Sequence, residues 1–228
     1  MRAKAPSRAL REARPDEPAP QQPTREAILD AAERLFSARG LDGVAVRDLA
    51  REMGLTPSSL YNHFPGKRAL YDAVLERGLR PIVDLVSAAW QPGALAPAQV
   101  HATTAALVEH LATHPHLGRL IQRALLEEGD GARTPIGRWV GPLYTEGRAI
   151  IGRAAAAAAW EPDEVPHLTL GLFGMVFAYF TNAAAVRGLV GGKDDPFSRR
   201  SLAAQLRFLE KAVYRLLGPA DRKRRARP

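Results

Sequence analysis

Between residues 24 and 217 the apolar residues recur three and four apart, and no run of alternating β-branched residues is long enough to make a strand. That period gives helices one buried face and leaves no sheet to pack them on. The chain is therefore predicted to be all-α, with about nine helices. Thr24 caps a first helix whose buried stripe is Ile28, Ala32, Leu35 and Phe36, and Gly40 stops it. A short second helix carries Val46, Leu49, Ala50 and Met53 and ends at Gly54. Thr56 and Pro57 open an equally short third helix, with Leu60 and Phe64 on one face and Pro65-Gly66 as its stop. A fourth runs from Lys67 through Leu70, Val74 and Leu75 toward Trp90, with a bend expected near Gly78 or Pro81. Further helices are predicted over 97–113, 115–128, 135–160, 163–189 and 198–217.

Residues 1–23 are rich in proline and charge and hold too little apolar surface to offset the entropy of ordering, so a disordered arm is expected there. A basic disordered tail is expected over 218–228, which carries five Lys or Arg against Asp221. Much of the net charge of +8 thus sits at the ends, a pattern compatible with a polyanionic partner, with solubility, or with a membrane surface. The absence of cysteine excludes disulfides, thiolate nucleophiles and thiolate metal sites, and it suits a reducing compartment. The first 23 residues lack the apolar core of a secretory signal, so the expected location is the cytoplasm. Residues 168–186 are uncharged, yet their threonines, asparagine and glycines favour a buried helix or a helix–helix interface over a membrane span.

The most informative window is 46–71. A helix of about seven residues is unstable alone, so Leu60 and Phe64 must clamp the third helix onto the first two, leaving Ser58, Ser59, Tyr61, Asn62 and His63 outward. No acidic residue occurs from Met53 to Tyr71, and Lys67 and Arg68 follow the stop. The capped N-terminus at Thr56 offers amide hydrogens to an anion. This is the physical profile of a helix-turn-helix whose second helix enters a major groove. Each side chain also has a structural role open to it: Tyr61 covering the edge of the first helix, His63 at the core margin, Asn62 and Arg68 as plain surface.

Residues 24–75, TREAILDAAERLFSARGLDGVAVRDLAREMGLTPSSLYNHFPGKRALYDAVL, resemble the DNA-binding domain of the tetracycline-repressor (TetR) family of transcriptional regulators, most closely over GLTPSSLYNHFPGKRAL. The resemblance implies an all-α homodimer: a DNA-binding domain over 24–70 and a ligand-binding and dimerisation domain over 71–217. Its expected partners are a double-stranded palindromic operator and a small-molecule effector that releases it. It further implies that Tyr61, His63 and Lys67 contact phosphates or bases, that Thr56, Ser58 and Ser59 face the groove, and that Thr24 and Arg47 touch the backbone; Asn62, outward on the same helix, is a further expected DNA contact. The family's hydroxyl residue before the second helix is replaced by Val44 and Ala45. Asp48 is expected to compensate in part by reaching back from the first turn.

Elsewhere the signals are weaker. His110, His114 and His116 lie close together, but Pro115 breaks the helix and no H-E-x-x-H order exists, so no metal or other cofactor is expected. Gly188 to Lys193 lacks the spacing and the hydroxyl of a P-loop. No nucleophile elbow or paired carboxylates point to catalysis. An apolar pocket is expected among Trp139, Tyr144, Phe173, Phe177 and Tyr179, with Arg123 and Asn182 as polar anchors. The stripe Leu202, Leu206, Leu209 and Val213 is the expected dimer face, although burial inside the monomer would give the same pattern. The rival reading is a helical enzyme or small-molecule carrier with incidental basic tails, which would show no salt-dependent DNA binding.

Overall fold

The structure, a computed structural model, describes residues 24–88, 97–127, 134–158, 160–189 and 191–218. The arm expected over 1–23 and the tail beyond Gly218 lie outside the described residues. Nine helices occur among the described residues: α1 (Arg25–Arg39), α2 (Val46–Glu52), α3 (Pro57–His63), α4 (Lys67–Ala88), α5 (Pro97–Thr113), α6 (Leu117–Glu127), α7 (Pro135–Ala157), α8 (Val165–Leu189) and α9 (Arg199–Leu217). The fold is all-α, as the periodicity implies. α6 and α8 each start two residues later than the pattern predicts, because 114–116 and 161–164 form turns.

Local chemistry sets these boundaries. The hydroxyls of Thr24, Thr56, Thr134 and Ser198 each accept from the backbone N–H three residues on, satisfying a donor the helix start would leave unpaired. Gly54 has φ 64°, the left-handed turn between α2 and α3 that a side chain would resist. Ala45 gives α2 no side-chain cap. Asp48 does not make good that loss. Its carboxylate accepts from Arg51 at 2.9 Å and pairs with Arg39 at 3.8 Å, because two nearby guanidinium groups compete for it better than one backbone N–H.

α4 ties the two ends of the molecule together. It continues through both Gly78 and Pro81. Gly78 is buried where Leu117 of α6 packs so closely that a Cβ would overlap its methyl group. The α4 side chains Leu70, Val74, Leu75, Leu79 and Ile82 join Ile28, Leu35 and Phe36 of α1 and Leu120 and Phe180 further on in one continuous core. A smaller cluster of Ile151, Ala155, Val165, Leu168 and Leu217 closes the far end. α4 and α6 pack against α1, while α5, α7, α8 and α9 complete the bundle.

An ion network reinforces the α1–α4 contact. Arg77 donates from Nη1 to Asp30 at 2.7 Å and to Glu26 at 3.3 Å, and from Nη2 to Glu33 at 2.7 Å. Glu33 is nearly fully buried and also accepts from Nδ1 of His114 at 3.3 Å. Burial alone would raise its pKa, but the His114 and Arg77 hydrogen bonds prevail and hold it below the usual carboxylate range. His110 lies against His114, with ring centroids 4.8 Å apart and planes tilted by 48°, and donates from Nε2 to the Gly78 carbonyl at 2.8 Å. Burial lowers the pKa of His110, only partly offset by that hydrogen bond. The two histidines thus connect the end of α5 to α1 and α4.

Candidate nucleic-acid interface

Seven residues cannot hold a helix in water, so α3 exists because it is clamped. Leu60 and Phe64 are 3% and 4% exposed and sit in the α1–α2–α4 core. Phe36 meets Tyr71 edge to face at 5.1 Å behind them, and Arg34 of α1 pairs with Glu52 of α2 at 2.7 Å. This packing fixes which side of α3 faces water.

That side carries Ser58, Tyr61 and Asn62, all exposed, with Tyr61 at 50%. His63 and Ser59 are half-buried at its margins. The Thr56 hydroxyl accepts from the Ser59 N–H at 3.1 Å and bonds the Ser59 hydroxyl at 2.9 Å, so these two side chains chiefly fasten the helix start. Thr24, capping α1, and Arg47, in the first turn of α2, are both exposed. Lys67, half-buried at the start of α4, has no acidic partner among the described residues, and neither has Arg47. Arg68 makes only a 3.9 Å contact with Asp72.

The sequence reading passed over Arg25. Its guanidinium lies 5.0 Å above the Phe64 ring, bringing another cation to the end of α3. Nothing local in the sequence signals this, since the two residues are paired only by the fold. Together α2, α3 and the first turn of α4 present hydroxyl, phenol, amide and imidazole groups flanked by cations, with no carboxylate on α3. Such a surface suits a phosphate-lined groove.

The residues expected to form a pocket divide. Phe173 and Phe177 line two adjoining cavities, and Tyr144 and Asn182 line the second of them. The other three are turned elsewhere. Arg123 pairs with Glu127 at 2.6 Å and donates to the Ala38 carbonyl at 3.4 Å, Trp139 stacks under Arg80, and the Tyr179 hydroxyl donates to the Pro196 carbonyl at 2.6 Å. Arg123 and Tyr179 thus satisfy their polar groups away from the cavities.

The α9 stripe faces inward. Leu209 is 3% exposed and lines the first cavity with Val213, while Leu202 and Leu206 are half-buried. α9 packs on α5 and α7, and Leu209 and Val213 of its apolar face are used within the protomer. The apolar surface left outside includes Leu125 and Leu126 of α6, Phe208 and Tyr214 of α9 and one side of α8. There Gly171, Gly174, Ala178, Asn182, Ala185 and Leu189 form a single exposed stripe. α8 is the one helix among the described residues long and apolar enough to cross a membrane.

The comparisons with known proteins agree with this geometry. Residues 28–74 match the family model of bacterial regulatory proteins of the tetR family. The chain is 37% identical over 71 residues to the HTH-type transcriptional repressor DrrR1 of Streptomyces coeruleorubidus, covering 30% of this chain and 26% of that protein. It is 44% identical over 50 residues to the class D tetracycline repressor protein of Escherichia coli, covering 22% and 23%. These matches span about a quarter of the curated relatives' length. The whole architecture is similar to the crystal structure of Mycobacterium smegmatis AmtR, with TM-score 0.61 and 25% identity over 88% of both chains. With its helix-turn-helix matched in sequence and its full bundle matched in shape, the chain is similar to TetR-family transcriptional regulators, in sequence over residues 28–74 and in fold over 88% of its length.

Proposed function

We propose that the chain is a cytoplasmic repressor that binds a palindromic operator as a homodimer and is released by a small-molecule effector. The observation that carries this reading is the exposed polar face of α3, held by a buried Leu60/Phe64 clamp and flanked by Arg25, Arg47 and Lys67. In this reading residues 24–70 bind DNA and 71–217 hold the effector and the partner protomer. Ser58, Tyr61, Asn62 and His63 meet bases or phosphates. Thr24, Arg47 and Lys67 hold the backbone, and Thr56 with Ser59 sets the helix start against it.

The dimer forms through the small-residue stripe of α8 and the exposed Phe208 and Tyr214 of α9. At Gly171 and Gly174 there is open space for a close helix approach. Two recognition helices related by that axis must meet half-sites about 34–36 Å apart. An effector in the bundle moves α4, because Leu79, Ile82 and Val86 of α4 line the cavities and the same helix is locked to α1 through Arg77. The coupling is reciprocal: DNA weakens effector binding by the factor by which effector weakens DNA binding.

The test is selection of genomic fragments by the purified chain, followed by footprinting. The reading expects a protected two-fold sequence with half-sites one turn apart. No retained fragment, or a lone half-site bound by a monomer, refutes it. Screening small molecules for release of the recovered operator then tests effector control.

A further inference from the structure

Two cavities meet at the rings of Phe173 and Phe177, which stack with centroids 6.4 Å apart and 17° between their planes. The first, about 140 Å³, lies among α4, α5, α7, α8 and α9. The second, about 300 Å³, lies among α4, α6, α7 and α8. Neither is lined by an Asp, Glu, Lys, Arg or His among the described residues. Among the described residues, the only side-chain polar groups lining the first are the hydroxyls of Thr103 and Thr104, and Thr104 already donates to the Val100 carbonyl at 2.6 Å. The second holds only neutral ones, chiefly the amides of Gln122 and Asn182 and the Tyr144 phenol.

This lining selects by charge. An ionised ligand entering either cavity would lose its hydration and find no counter-charge, whereas an apolar body would displace little ordered water. A dry apolar cavity of roughly 150 Å³ is known to accept a single aromatic ring, the size of the first cavity here. Neutral hydrogen-bonding groups on the same molecule would find partners chiefly on the Gln122–Asn182 side, the first cavity offering only the Thr103 hydroxyl.

We infer that the paired cavities at Phe173–Phe177 bind an uncharged ligand, with a ring or short hydrocarbon body in the first cavity and at most hydroxyl, carbonyl or amide groups toward Gln122 and Asn182. The inference rests on the reading of the chain as an effector-controlled regulator and names the chemistry of that effector. Ile82 faces the first cavity and Leu79 the second, so either occupant touches α4.

The experiment uses the full chain at pH 7.5 with toluene, benzyl alcohol, benzoate and benzylammonium, binding being read by saturation-transfer NMR and competition. The two neutral probes should bind at least tenfold more tightly than either ion. Val176→Trp, which fills the first cavity, should abolish toluene binding. Thr103→Lys, at a half-buried position, should shift the benzoate-to-toluene preference at least tenfold toward benzoate. Ions bound as well as toluene, no binding of either neutral probe, or toluene binding unchanged in a folded Val176→Trp would overturn the inference. If Val176→Trp fails to fold, Ala212→Leu takes its place with the same outcomes. The same preparation is tested for retention of genomic fragments. Fragments retained without any aromatic bound sink the ligand chemistry alone, and aromatic bound without any fragment retained sinks the regulator reading alone.

Discussion

Replacing Glu33 by Gln probes the joint between the DNA-binding helices and α4. The side chain is 4% exposed, and its Oε2 accepts from Arg77 at 2.7 Å and from His114 at 3.3 Å. Removing one partner of a fully buried pair costs about 3–5 kcal/mol. Arg77, however, is 16% exposed and keeps Asp30 and Glu26, so the guanidinium is not stranded. The loss then approaches that of one or two charge-assisted hydrogen bonds partly replaced by neutral ones, about 2 kcal/mol. With a urea dependence of about 2 kcal/mol per molar, the midpoint should fall by about 1 M at pH 7.5. The pH dependence gives a second signature. Glu33 has a folded pKa below its unfolded value of 4.5, so its stabilisation is complete above that value and disappears as pH falls through the folded pKa. Wild type and Glu33→Gln should therefore converge in acid. Urea unfolding followed by circular dichroism, at equal protein concentration from pH 3.5 to 8, measures both. A variant as stable as wild type at pH 7.5, or a gap that persists undiminished at pH 3.5, would refute the assigned role of the network.

Three other outcomes follow from the same packing. Thr56→Ala removes the cap of α3 and should destabilise the chain by about 1 kcal/mol, read as a lower melting temperature with helix content retained; no change would mean that the cap hydrogen bond is not formed in solution. Gly78→Ala places a methyl group against Leu117 and should cost about 1–3 kcal/mol, whereas a neutral or stabilised variant would show that α4 and α6 are less closely packed than described. Ala178→Glu puts a charge in the exposed α8 stripe and should yield monomers in sedimentation velocity, while Leu209→Glu, buried in the α9 stripe, should act mainly on stability; an intact Ala178→Glu dimer would place the interface elsewhere.

The helices were legible because their signals are local. A threonine cap, Pro57 in the first turn and Gly54 in a left-handed turn act over three or four residues, so α1, α2 and α3 can be read directly from the chain. The outward face of α3 was legible for the same reason, since burial of Leu60 and Phe64 fixes where Ser58, Tyr61 and Asn62 point. What was not legible depends on pairs far apart in sequence. Arg77 reaches acids 44 to 51 residues earlier, Arg25 covers Phe64, and His110 donates to the backbone of α4. The α9 stripe shows the limit most clearly: period fixes that Leu202, Leu209 and Val213 share a face, but not whether that face meets its own bundle or a partner. Likewise an arginine among aromatics reads as a pocket anchor until the fold brings Glu127 and the Ala38 carbonyl to Arg123.

The central claim is that the exposed face of α3 enters the duplex. It is tested most directly by measuring, across a salt series, the affinity of wild type, Tyr61→Ala and Lys67→Ala for the operator recovered by footprinting. Tyr61→Ala should lose discrimination between that operator and a scrambled duplex, and Lys67→Ala should weaken binding to both and reduce the salt slope by about one. Operator affinity, specificity and salt slope unchanged in both variants, with folding intact, would contradict the account.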